Sequence, residues 1–599
     1  MKALYVTADG DEFGKTALKT LKAMGCQTRL LKDGEEAPEG SVALFTADRR
    51  EGGTSKPKYL VCSPLRLQKQ TPAWAKTTPL RVGVVTTSNH KSRSREGSFS
   101  SAIVTMDLMF RTWDWTSNNP VPWAKVDSDP GFRRGSPQLE NVLAWRNSPT
   151  ASKLIQKARG DFATCQGIET HLQNHGGYFV GDASQALQVS PDFFYVSPAE
   201  LEKVRVNLDL VRLFWQQALS LYYQAVETGD AGLIWVVKSV DGPISPEQSQ
   251  WQHWVTLAQP SVLPLFARAD LSSIYHLVEI QERIGGLGLV ESWLAAIRQV
   301  QGIEGVVGDP GGFARRFAEA VVRATGKADP TVVLVCPNGY KDEQEFFARA
   351  LRGYGICVAV VGKEIMEEEL EYRGDFLYLK TDGSRVDFLY RREINAASLA
   401  LSEIGQGIMK AAVAGNLVVE PPLNMIYDCK TPMAWVHDQR VGTFFTSTVR
   451  SAITPTVLLP NNRLTEITIN GEELAADDLI GRPFVVKYGG ENIKYGFGGR
   501  AVYQTEDNSE GIDRGLEEVG AGHPWVVQPL DKTRFTVRQW VRDTGQIEFR
   551  HGAGRLMFHV VFKPDETGAE IVTACAQIRP NHWKAIGCPE AVFQDMRLK

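Results

Sequence analysis

The sequence predicts a multi-domain protein that mixes α/β and α+β segments. Three observations carry this. The chain has 599 residues, more than one hydrophobic core usually serves, so two to four domains are expected. Short apolar runs alternate with amphipathic helical stretches at the start and again near 330–390, the pattern of parallel sheets with crossover helices. The last third instead alternates short strands with glycine loops.

Each element follows from its own residues. Ala3–Thr7 reads as a strand, Lys15–Met24 as an amphipathic helix and Gln27–Leu31 as the next strand. Arg49–Lys58 is polar and reads as a loop, after which Leu80–Thr86 resumes the α/β pattern. Residues 110–150, rich in Trp, Pro, Asn and Ser, read as long ordered loops, which carry substrate contacts in some proteins and are surface insertions in others. Ser197-Pro198-Ala199-Glu200 has the form of a helix N-cap followed by Pro at the first helical position, and apolar residues then recur at helical spacing to 228. A Gly-rich stretch at 301–312 reads as a boundary. Beyond it, Thr331–Cys336 is a β-branched run suited to a buried parallel strand. Lys341–Arg352 is an amphipathic helix, and Ile356–Val361 and Val386–Tyr390 are further strands. The expected organisation is an N-terminal α/β region (1–195), a helical segment with a strand pair (196–310), an α/β module (311–425) and a glycine-rich α+β region (426–599).

Composition excludes several classes. Apolar residues make up 43% and charged residues 23%, with a formal net charge of −4. There is no basic field for nucleic acid. The eight cysteines stand singly without a Cys-x-x-Cys pair, which argues against disulfides and structural zinc and for a reduced, cytoplasmic setting. No stretch reaches the ~20 apolar residues of a membrane helix, and the N-terminal apolar run is too short for a signal peptide.

Four segments could carry chemistry. In Pro483–Arg500, PFVVKYGGENIKYGFGGR, an apolar strand delivers Lys487 to a loop containing Gly489, Gly490, Gly496, Gly498 and Gly499. Glycine amides can approach an oxyanion without Cβ obstruction; a glycine hairpin with an exposed lysine would show the same pattern. The order of a Walker A loop is absent. Trp525–Leu530, WVVQPL, is an apolar strand whose Gln528 suits an adenine edge. Val418–Lys430, VVEPPLNMIYDCK, runs from a strand through a Pro-Pro turn to a helix start, where Lys430 and free amides would attract phosphate. Finally, Arg268-Ala269-Asp270 and Glu279-Ile280-Gln281 lie on two short strands. A tight turn would set Asp270 beside Glu279, with Glu279 and Gln281 on one face. Hard oxygens in that arrangement suit Mg²⁺, although a surface hairpin with outward charges would read the same way.

Taken in order, these segments resemble a circularly permuted ATP-grasp fold with a Rossmann-like module, close to the synthetase domain of glutathionylspermidine synthase. In that family an R-x-D and E-x-N metal segment precedes the ATP-binding lysines, as Arg268, Asp270, Glu279 and Gln281 precede Lys430 and Lys487. The VDFLYRR run (386–392) and the module at about 327–425 are similar as well. The resemblance covers roughly 260–560. Gln281 departs from the family's Asn, and Asp428-Cys429 from the residues usually found before the helix lysine. The first 200 residues match nothing in the family, and no amidase-type Cys/His arrangement is visible there.

The resemblance implies an ATP-dependent ligase that forms an amide from a carboxylate and an amine through an acyl phosphate, acting on amino acids or small peptides. It implies ATP held by Lys430 and Lys487 under a glycine lid at 489–499 and Mg²⁺ on Asp270, Glu279 and Gln281. Arg268 would stabilise the transferring phosphoryl group. Arg391, Arg392, Arg534, Arg538 and Arg555 are candidate carboxylate binders, because guanidinium forks match carboxylates. The basic segment Ser92–Ser101 reads as a solvated loop. Two other functions compete: a non-catalytic ATP-binding scaffold and a phosphotransferase. The expected partners are the two small substrates, with neither nucleic acid nor membrane; a homodimer is compatible with the sequence.

Overall fold

The computed structural model describes residues 188–599 apart from 273–274, 393, 491–500, 507–508, 542–545, 563–567 and 581–590, together with the helix Pro149–His175 and five short strands nearer the N-terminus. The expected helix over 15–24, the loops at 49–58 and 92–101, nearly all of 110–150, and Gly496, Gly498 and Gly499 lie outside the described residues. The molecule is mixed α/β with several separate sheets. It divides into two compact units, Met1–Ala163 and Thr164–Lys599.

In the first unit Leu4–Thr7 lies between Gln27–Leu30 and Val42–Leu44 and is parallel to both. Tyr59–Cys62 pairs in parallel with Arg81–Val84. Parallel neighbours need a crossover connection, the arrangement the βαβ pattern predicts.

Among the described residues the second unit has three larger sheets and two two-stranded ones, Leu370–Arg373 with Phe376–Leu379 and Glu466–Ile469 with Glu472–Ala475. Its longest helix, Pro198–Thr228, begins where the N-cap pattern places it. The Ser197 hydroxyl accepts from the Glu200 amide at 3.2 Å, and the Glu200 carboxylate accepts from the Ser197 amide at 2.7 Å, a reciprocal capping box. Gly229 closes it in the left-handed region, at φ 61°. Leu201, Val204, Leu208, Val211, Trp215, Ala218 and Tyr222 are buried along one stripe. They share a core with Ala267, Ala269 and Leu271 of the strand Phe266–Leu271 and with Leu556, Phe558 and Val560 of the strand Gln546–Phe562.

Those two strands belong to the seven-stranded sheet. Phe266–Leu271 pairs antiparallel with Leu277–Gln281 on one side and with Gln546–Phe562 on the other; Ala569–Pro580, Val592–Leu598 and Phe194–Val196 extend the sheet, and Arg534–Val541 pairs antiparallel with Gln546–Phe562. Because side chains alternate, the face that buries Ala267 and Ala269 against the long helix sends Arg268 and Asp270 to the opposite face. Arg555, Met557 and His559 share that second face through their register with Asp270 and Arg268.

The second sheet has four parallel strands in the spatial order Cys357–Gly362, Thr331–Cys336, Phe388–Arg391, Val418–Glu420. Phe313, Phe317 and Phe347, from the helices Gly312–Thr325 and Lys341–Arg352, cover one face, and Ile404 and Ile408 from Glu403–Val413 cover the other. Burial on both faces explains why its strands read as unbroken apolar runs. The Gly-rich stretch at 301–312 joins the helix Leu287–Gln301 to Gly312–Thr325 inside this unit.

The third sheet is antiparallel, in the order Val457–Leu458, Trp525–Pro529, Phe484–Tyr488, Val502–Gln504. Phe484, Val486, Trp525 and Val527 pack with Ile512 of the helix Glu510–Gly520. Lys487 and Gln528 are therefore sent to the opposite face, which is also buried at Val485, Val526 and Gln528. The Thr454 amide donates to the Leu277 carbonyl at 2.9 Å, which ties this sheet to the strand pair carrying Asp270 and Glu279. Among the described residues no helix is long and apolar enough to cross a membrane.

Candidate functional site

Strand register assembles the centre of the site. Asp270 stands opposite Glu279 and Arg268 opposite Gln281. Arg268 and Asp270 are two apart on one strand, and their side chains close a bidentate pair, Nε to Oδ1 at 2.8 Å and Nη2 to Oδ2 at 3.0 Å. Arg555 enters from the neighbouring strand. Its Nη1 donates to Asp270 Oδ2 at 2.5 Å and lies 3.7 Å from Glu279 Oε2, while its Nε donates to Gln577 Oε1 at 2.7 Å. Asp270 is 0% exposed.

The two lysines arrive from the other side. Lys430 Nζ lies 3.2 Å from Glu279 Oε1. Its backbone amide donates to the Gly489 carbonyl at 2.7 Å, and the Gly489 amide donates to the Pro524 carbonyl at 2.8 Å. A Cβ on Gly489 would lie 3.1 Å from Val526 and 3.2 Å from Thr431, and one on Gly490 would lie 2.9 Å from the Tyr488 hydroxyl. Gly489 lets the segments after Lys487 and around Lys430 approach closely, and Gly490 lets the chain pass Tyr488 and Pro524. Lys430 directly precedes a helix of only five residues, Thr431–Trp435. Lys430 is thus at the N-cap, one residue before the helical turn expected to hold it, and the dipole of so short a helix adds little.

Lys487 Nζ donates to Gln528 Oε1 at 2.6 Å. The Gln528 amide nitrogen donates to Thr456 Oγ1 at 2.8 Å and to the Val278 carbonyl at 3.2 Å. In this structure Gln528 meets protein partners at both ends of its amide, so it orients Lys487 and links the lysine sheet to the Glu279 strand. Thr456 and Gln577 escaped the sequence reading altogether, because no local pattern marks either residue.

The other candidate arginines separate clearly. Arg391 is 0% exposed. It donates to the carbonyls of Pro421, Pro422 and Ile394 at 2.8, 2.6 and 2.8 Å and to both oxygens of Asp428. Arg392 pairs with buried Glu343 at 2.9 Å and lies over the Tyr340 ring. Arg538 pairs with Asp192, and Arg534 is exposed opposite Ala553. Arg391, Arg392 and Arg538 are engaged by structural partners away from the Asp270 cluster; of the five candidates, Arg555 joins that cluster.

Four cations thus face two carboxylates in a largely buried space. Burial pushes the Glu279 carboxyl upward, but Lys430, Lys487, Arg555 and Arg268 outweigh it and hold the group below the usual carboxylate range. Burial lowers Lys487 to about 8, with Glu279 opposing that shift and Lys430 adding to it. His559, on the same sheet face, is pushed down to about 3 by burial and by Arg268 and Arg555, so it is neutral at physiological pH. A buried excess of positive charge is a poor stability device, because desolvating it costs several kcal/mol. Such an excess suits the binding of an anion.

Asp270, Glu279 and Gln281 supply the oxygen types that Mg²⁺ takes. Among the described residues no group of three or more His, Cys, Asp or Glu could hold a metal. Both oxygens of Asp270 already accept from guanidinium groups. With these bonds in place, Asp270 would take Mg²⁺ only if an anion drew the guanidinium groups away, as a polyphosphate would.

Lys487 also sets a pH dependence. Its ordinary value of 10.5 is lowered to about 8, so its charge is lost as pH rises through about 8. A polyphosphate placed beside it would favour the charged form. A nucleotide bound there near pH 8.5 would take up a proton and would bind more weakly as pH rises further. Titration calorimetry in two buffers of different ionisation enthalpy measures this; identical heats would rule it out.

No protein-family model matches the sequence, and no curated protein matches it. Among solved structures the chain is similar to the apo form of a glutathione synthetase-like effector from Globodera pallida. The identity is 13%, covering 73% of this chain and 98% of that chain, and the TM-score is 0.46.

Proposed function

We propose that the chain is an ATP-dependent ligase that joins a carboxylate to an amine. The observation that carries this is the convergence of Lys430, Lys487, Arg268 and Arg555, from four separate segments, on Asp270 and Glu279. The order of these residues along the chain, acidic pair before lysines, supports the permuted ATP-grasp reading. In that reading Lys430 and Lys487 hold the α- and β-phosphates. Arg268 and Arg555 neutralise the γ-phosphoryl group as a carboxylate oxygen attacks its phosphorus and ADP leaves. The amine then attacks the acyl carbon, phosphate departs, and the amine proton passes to solvent. When bound, Mg²⁺ supplies charge neutralisation between the phosphates, held by Asp270, Glu279 and Gln281. Exclusion of water protects the acyl phosphate from hydrolysis.

The test is ADP release from the full chain with ATP, Mg²⁺ and mixtures of amino acids and small peptides. The expected result is turnover that needs both a carboxylate and an amine, with a product lighter than the two substrates together by one water. A product carrying phosphate and no amide would make the protein a phosphotransferase. Nucleotide binding without turnover on any pair would make it a scaffold.

A further inference from the structure

The Gly-rich stretch at 301–312, read from the sequence as a boundary, forms one wall of a cavity. Its Val307 amide donates to the Met596 carbonyl at 2.9 Å and its Asp309 amide to the Val572 carbonyl at 2.7 Å, while its Gly305 carbonyl accepts from the Leu598 amide at 2.7 Å. Gly308 permits this close approach: its φ is 100°, and a Cβ there would lie 2.5 Å from the Val572 carbonyl oxygen. The helix Pro198–Thr228 supplies a second wall through Leu201 and Arg205, four residues apart on one face. The helix Gly312–Thr325 supplies a third through Arg315 and Arg316. The cavity holds about 570 Å³, a volume that suits a small molecule.

We propose that this cavity binds a small organic anion with one carboxylate on an apolar body. Leu201, Val306, Ile571 and Leu598 line it with hydrocarbon. Among the described residues its charged lining is Arg205, Arg315 and Arg316 against Asp309 and Glu570, three cations to two acids, which leaves one positive charge in excess. Arg316 is committed to the protein: it pairs with Asp309 at 2.7 Å, Glu319 at 2.8 Å and Glu570 at 2.6 Å. Arg315 pairs with Asp309 through Nη2, but its Nη1 lies 3.6 Å from Glu319, beyond hydrogen-bond distance. Arg205 has its ion pair among the described residues with Glu202, at 3.8 Å between side chains that are both more than half exposed, a pairing worth little. The Arg315 and Arg205 forks can therefore take a carboxylate. Asp309 and Glu570 disfavour a second negative charge, as on a phosphate monoester. Ile571 stands six residues before Gln577, the partner of Arg555, on the strand Ala569–Pro580, a separation of roughly 20 Å. The cavity is thus distinct from the site around Asp270, and the proposal does not depend on the ligase reading.

The experiment is calorimetric titration of the full chain with octanoate and with N-acetylleucine. These stand for a free fatty acid and for the C-terminal residue of a peptide, and the tighter of the two names the source of the carboxylate. Octanoate is expected to bind at one site, with affinity rising roughly two- to fourfold per methylene from butanoate to octanoate. Octanamide, which lacks the charge, is expected to bind at least about tenfold more weakly. Arg315→Ala should weaken octanoate binding about tenfold or more. Arg205→Glu, at an exposed position, should weaken it about threefold or more and serves if Arg315→Ala does not fold. A non-hydrolysable ATP analogue should not compete with octanoate. No binding of either carboxylate at millimolar concentration, octanamide binding as tightly as octanoate, or octanoate affinity unchanged in either folded variant would each overturn the proposal. So would competition by the ATP analogue, or inorganic phosphate binding more tightly than both carboxylates.

Discussion

Lys487→Met is expected to weaken binding of a non-hydrolysable ATP analogue about 10- to 100-fold, the usual worth of a charge-assisted hydrogen bond. Turnover should fall further, by about 100- to 1,000-fold, if Lys487 also steadies charge that develops in the transition state. The lysine lies on the face of its sheet turned toward Glu279, and the residues that hold the strand against the helix are Val486, Trp525 and Val527 on the other face. Methionine keeps the aliphatic length, so the fold should survive, and an unchanged denaturation midpoint checks this. Among the described residues the hydrogen bond removed is the one to Gln528, whose amide nitrogen remains tied to Thr456 and the Val278 carbonyl. A folded variant with wild-type nucleotide affinity would take Lys487 out of the site.

The second large effect is structural. Arg391→Ala is expected to cost about 3–5 kcal/mol of stability, because it leaves buried Asp428 short of a partner. Three backbone carbonyls lose a donor as well. Arg283 also pairs with Asp428, at 2.9 Å, and softens the loss without replacing those bonds. Arg391→Lys should recover little of it, since one ammonium cannot reproduce a fork that reaches Pro421, Pro422, Ile394 and Asp428 together. Denaturant unfolding measures the change. A variant of wild-type stability that failed only in substrate affinity would make Arg391 a substrate binder instead.

These two residues show where sequence is informative and where it is not. The strand pair carrying Arg268, Asp270, Glu279 and Gln281 was legible because alternation acts over two residues and a hairpin brings near neighbours together. The capped helix from Pro198 and the buried strand Thr331–Cys336 were legible for the same reason: cap geometry and apolar runs are local. Arg391 and Arg392 close an apolar strand, where an arginine can face a ligand or a buried partner. Their partners, Asp428 and Glu343, are 37 and 49 residues away, and no spacing rule reports such a contact. Arg555 presents the converse. It sits inside a 17-residue strand with no signature of its own. Its neighbour Asp270 is 285 residues distant, so only the register of the seven-stranded sheet sets it apart from the other arginines. The contacts of Gln528 have a similar origin. Its strand ending was readable, whereas the diagonal neighbour on the adjacent strand that takes its amide was not.

The central claim is that the phosphates of ATP lie between Lys430 and Lys487 on one side and Arg268 and Arg555 on the other. A crystal structure of the full chain with a non-hydrolysable ATP analogue and Mg²⁺ tests it most directly. The predicted result is phosphate oxygens within hydrogen-bond distance of both lysines, with Asp270 released from at least one guanidinium and an oxygen of Asp270 or Glu279 on the metal. A nucleotide bound elsewhere, with the Arg268–Asp270–Arg555 and Lys430–Glu279 pairs intact, would contradict it.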